Sequence, residues 1–164
     1  MASNGTTKGL LARREKAAAP ELPAAPSASE LARVAELFAP IPLTPEQARQ
    51  FALIEGSDEE PWDVLLQLLA LDEHQALELL GKRTGLDYVP EPRMHESASR
   101  FYEIVPADVA RGRLCAGLGS DGQVVRVATA QPMQPGVFAM LEDLLGMPIR
   151  LVLTPRAGVA NLIN

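Results

Sequence analysis

Cysteine is almost absent from this 164-residue chain, and that scarcity is informative. Cys115 stands alone, which excludes an intramolecular disulfide, a redox thiol pair and a cysteine-rich metal site, and suits a reducing compartment. Histidine is nearly as scarce. His74 has Glu78 rather than a second imidazole at i+4, and His95 falls in a polar stretch, so no metal-ligand spacing forms. Aromatic residues make up 4% of the chain, leaving Leu, Val and Ala to fill the interior. Positive charge is outweighed, with 15 Lys and Arg against 21 Asp and Glu and a net charge of -6, so phosphate backbones meet no long-range attraction and a nucleic-acid partner is not expected. Long apolar runs are missing too. The Leu10-Leu11-Ala12 patch is too short for a signal-peptide core and no later stretch approaches a bilayer span, so the expectation is a cytoplasmic protein without direct membrane insertion.

The remaining chemical candidates reduce to structural roles. Cys115, between Leu114 and Ala116 in an expected strand, reads as a small buried hydrophobe rather than a nucleophile. Glu55, Asp58, Glu59 and Glu60 lack the alternating oxygen ligands and central glycine of a calcium loop. Gly117-Leu118-Gly119 runs into a hairpin turn instead of a helix, and no Gly-Lys-Ser/Thr follows it, so a phosphate-binding loop is excluded. Trp62 sits beside a leucine-rich run and reads as a core residue. No catalytic, cofactor-binding or metal residue is assigned, no cofactor is expected, and the chain is read as a non-enzyme.

What is present is a clear division along the chain. Residues 1–26, rich in Ala, Pro and small polar side chains, cannot bury enough apolar area to offset their ordering entropy and read as a disordered leader. Residues 27–84 read as a small helical subdomain. Ser27 and Glu30 form a capping-box pattern ahead of Leu31, Val34, Ala35 and Phe38 at i, i+3, i+4 and i+7, until Pro40 and Pro42 intervene. Thr44, Pro45 and Gln47 open a second helix running through Phe51 and Ile54 to Gly56, a third covers about 59–70, and Asp72 with Gln75 caps a fourth that ends at Gly85.

After Gly85 the periodicity changes. Residues 85–164 read as an α/β subdomain: an extended piece over 86–89, a short helix over 106–111, and strands over 113–119 and 123–130 around the turn Ser120-Asp121-Gly122. A helix over 135–145 stopped by Gly146, a strand over 148–153 and a last helix opened by Thr154-Pro155 follow. The strand-helix-strand run implies a parallel crossover. The expected fold is α+β: a helical subdomain, then a small mixed sheet with a β-hairpin and a parallel β-α-β crossover. The apolar stripe Leu31, Val34, Ala35 and Phe38 is the candidate partner-binding surface, because prolines separate its helix from the next; the alternative is that the stripe packs permanently on the domain's own core.

Gly85-Leu86-Asp87-Tyr88-Val89, Ile104-Val105-Pro106, Arg113-Leu114-Cys115-Ala116, Val125-Arg126-Val127-Ala128, Ala130-Gln131-Pro132, Leu144-Leu145-Gly146 and Ile149 to Leu153 together resemble the N-terminal domain of type II secretion and type IV pilus assembly ATPases. The resemblance covers about residues 60–164. It implies a protein-interaction or regulatory adaptor docking on the cytoplasmic region of a secretion or pilus platform protein, or on another bacterial regulatory protein, with recruitment to the inner membrane through that partner. The alternative is a nucleotide-sensing domain, since some members bind cyclic di-GMP. Those members carry Arg-Leu-Gly ahead of the last helical pair and a glycine before its second helix. Here Glu60-Pro61-Trp62 and Leu69-Ala70-Leu71 stand there, which speaks against cyclic di-GMP, and Gln131 replaces a common Asp.

Overall fold

Thr44 determines where the first complete helix begins. In the computed structural model, which describes Arg33, Ala35, Phe38 and residues 39–164, the Thr44 hydroxyl accepts the Gln47 amide while the Gln47 side chain accepts the Thr44 amide. This reciprocal cap satisfies two amides that α-helix geometry leaves unpaired. Helix α1 then runs over Pro45–Ala52, stopping short of the expected Gly56. Helix α2 (Pro61–Leu69) also opens on proline, and α3 (Glu73–Thr84) is capped by the Asp72 carboxylate, which accepts the Gln75 amide. Gly85 ends α3 at φ 76. The Ser27 cap lies outside the described residues, but Arg33, Ala35 and Phe38 are helical.

Beyond α3 come β1 (Asp87–Tyr88), a 3-10 turn at Glu96–Ala98, α4 (Ser99–Ile104), α5 (Ala107–Gly112), β2 (Cys115–Ser120), β3 (Val125–Thr129), α6 (Pro135–Leu145), β4 (Ile149–Leu153) and α7 (Arg156–Ile163). The four strands form one sheet in the order β1-β4-β3-β2. β2 and β3 make the expected hairpin, where the Asp121 carboxylate accepts the amides of Gln123 and Val124 and Gly122 takes φ 91. β3 and β4 are parallel and joined through α6, and β1 adds parallel to β4. The fold is α+β, as expected.

One element was not anticipated. Helix α4 is too short to display a helical period, yet it places Phe101, 1% exposed, directly over Gly117 of β2. The Tyr102 hydroxyl donates to the Gly117 carbonyl at 3.2 Å, and the His95 amide donates to the Leu118 carbonyl at 2.8 Å, so this segment also covers the outer edge of β2. Covering an edge strand removes a template for unwanted pairing.

Helices α4, α5 and α6 close one face of the sheet, packing Phe101, Val109, Val137 and Leu141 around Val127 of β3. On the other face Val159 of α7 packs with Ala116, Ala128 and Val152. The helical half is not a separate body, because Trp62, Leu65, Leu77 and Leu80 share one core with Met133 and Leu153 of the sheet half. Each such side chain contributes about 1.5–3 kcal/mol on full burial. At the rim, Arg156 pairs with Asp63 and, at 3.5 Å, with Glu73. His74 Nδ1 lies 2.8 Å from the Tyr88 hydroxyl. These contacts are exposed and secondary to the shared core.

Candidate ligand groove in the helical half

A cavity of about 390 Å³ opens beside α1 and is lined by Ala35, Ala39, Pro42, Leu43, Ala48, Phe51, Ala52 and Arg83. Small side chains create it. Ala35 and Ala39 on one wall and Ala48 and Ala52 on α1 occupy little space, while Phe51 turns inward and is 2% exposed. Arg83, in the last turn of α3, donates to the Ala39 carbonyl and places a guanidinium at the rim. Gln47 ties α1 to α2 by donating to the Leu68 carbonyl at 3.0 Å. The volume falls within the range of small-molecule sites. Walls that are mostly apolar suit an apolar side chain or a planar apolar group.

The stripe expected to bind a partner is placed as follows. Leu31 and Val34 lie outside the described residues. Ala35, 3% exposed, belongs to the core and also lines the groove, and Phe38 is partly buried against the same core. The groove formed around Ala35 was not anticipated. Its signal in the sequence was the alanine spacing on α1, which pattern reading treats as helix propensity.

Cys115 and His74 do not converge on any site. Burial pushes the Cys115 thiol up to about 12, with Arg113 opposing only part of that rise, so the thiol stays protonated and inert at neutral pH. Burial, together with Glu78, Glu73 and Asp72, raises the hydroxyl of Tyr88, the neighbour of His74. Asp121 is lowered by the Val124 and Gln123 amides it accepts, which is a turn and not a catalytic acid. Among the described residues, no helix is long and apolar enough to cross a membrane.

The family described as MshEN domain matches residues 84–164. No curated protein matches the chain. A solved structure of MshE with cdg superposes with a TM-score of 0.56 at 20% identity, covering 81% of this chain and 95% of that one. The N-terminal domain of XpsE superposes with a TM-score of 0.52 at 14% identity, covering 85% and 96%.

These likenesses correct one expectation. The departures at Glu60-Pro61-Trp62 and Leu69-Ala70-Leu71 were read as evidence against cyclic di-GMP, yet a protein of the same fold has been solved with that dinucleotide. At the second of these departures the backbone keeps the expected path. Ala70 takes φ 51 and ψ 39, the left-handed turn that a glycine would supply, so the α2–α3 connection keeps its path without one.

Proposed function

Because residues 84–164 belong to the MshEN domain family, that of the N-terminal domains of type II secretion and type IV pilus ATPases, we propose that this chain is a regulatory docking module which binds the cytoplasmic region of a secretion or pilus platform protein. The observation that carries this reading is the groove between Ala39, α1 and Arg83. An apolar side chain of the partner enters it, and burial of apolar surface at about 25 cal/mol per Å² supplies the affinity. Of the stripe expected to bind a partner, Ala35 forms part of the wall and Phe38 packs on the adjoining core. The module acts by binding, and recruitment to the inner membrane follows from its partner.

A second reading rests on the likeness to MshE with cdg. The groove then takes cyclic di-GMP, with the apolar wall facing a base. Calorimetric titration of the chain with the cognate platform protein's cytoplasmic region, and separately with cyclic di-GMP, ranks the two readings. The variant Ala48→Trp fills the groove from an exposed helix position, so it should abolish platform binding while melting is unchanged. Platform binding that survives Ala48→Trp rejects the groove as the docking site. Saturable binding of cyclic di-GMP with no affinity for the platform puts the second reading first.

A further inference from the structure

Arg126 of β3 and Arg150 of β4 are registered partners in the parallel ladder, so their side chains leave the same face of the sheet about 5 Å apart. This is the face that α7 closes through Val159 against Ala116, Ala128 and Val152. Both arginines are exposed beyond that contact. Arg150 reaches Asp87 of β1 at 3.7 Å and still keeps 61% of its side-chain surface, while no acid among the described residues pairs with Arg126. Like charges set directly opposite one another weaken a ladder. In a chain of net charge -6, two exposed guanidiniums side by side at the uncovered end of this face form a local exception to the surrounding field.

We propose that the Arg126–Arg150 pair is a docking surface, on a different element from the groove, for an acidic segment of a partner protein. Guanidinium forks match carboxylates in bidentate geometry, so one acidic side chain can bridge both arginines while the next displaces Asp87 from Arg150. A free small anion would meet only two solvated cations on a flat face, where water and salt screen the attraction. The net negative charge disfavours a nucleic acid. The chain's own first residues carry Lys8, Arg13, Arg14 and Lys16 against only Glu15 and Glu21, a net positive segment that the pair does not attract.

The probe is a fluorescein-labelled peptide of alternating glutamate and valine, followed by anisotropy in low-salt buffer with the full chain. Saturable binding is expected, weakened about tenfold by Arg126→Gln, with melting unchanged or higher because a like-charge contact is relieved. The double variant R126E/R150E should lose the glutamate peptide and gain the matching lysine-valine peptide. Absence of binding, equal binding by Arg126→Gln, or displacement by equimolar inorganic phosphate overturns the proposal.

Discussion

Ala70 in the helical half and Gly117 in the sheet half occupy positions of opposite tolerance. Ala70 holds a left-handed conformation, φ 51, that glycine would adopt without strain. Gly117 is the reverse case, because a Cβ built there would lie 2.5 Å from Cβ and Cγ of Phe101. The sheet half is packed on both faces and has no slack at its centre, whereas the helical half accepts a strained turn and keeps an open groove beside α1. Dense packing makes small volume changes costly, and the more loosely filled region is where a binding site can be accommodated. Shape specificity therefore resides in the sheet core, and the groove proposed to take the principal ligand lies in the helices.

The larger expected effect sharpens the sheet side of that contrast. Gly117→Ala should lower stability by about 2–3 kcal/mol, since α4 or β2 must shift to admit one methyl group. Chemical denaturation checks it, and a loss within error would mean that the Phe101 contact is softer than its geometry. The smaller effect lies in the helical half and has the opposite sign. Ala70→Gly should raise stability by about 0.5 kcal/mol, the relief of left-handed strain outweighing the extra entropy of glycine. A destabilised Ala70→Gly variant would remove the strain from the account.

How much of this was legible in the sequence depended on whether the signal was local. Thr44, Asp72, Gly85, Gly122 and Gly146 act through their own backbone neighbours, and each lies at the helix end or turn where its side-chain chemistry requires it. The hairpin and the β3-α6-β4 crossover followed from period and spacing in the same way. Helix α4 was illegible because six residues cannot show a period and its purpose is a long-range contact to Gly117. The groove was illegible because it exists only once Arg83 of α3 meets Ala39 across 44 positions of sequence. Ala70 misled for a physical reason: the missing glycine suggested a lost turn, while the fold imposed the turn on alanine.

The central claim is that the helical groove, rather than the rigid sheet, receives the module's principal ligand. Backbone amide shifts of the isotopically labelled chain, followed while the cognate platform protein's cytoplasmic region is added, test it most directly. The account predicts that the largest perturbations cluster on Ala39, Ala48, Phe51, Ala52 and Arg83, with Leu141, Val152 and Leu153 in the sheet core unmoved. Perturbations confined to the sheet strands, with the α1 amides silent, would contradict it.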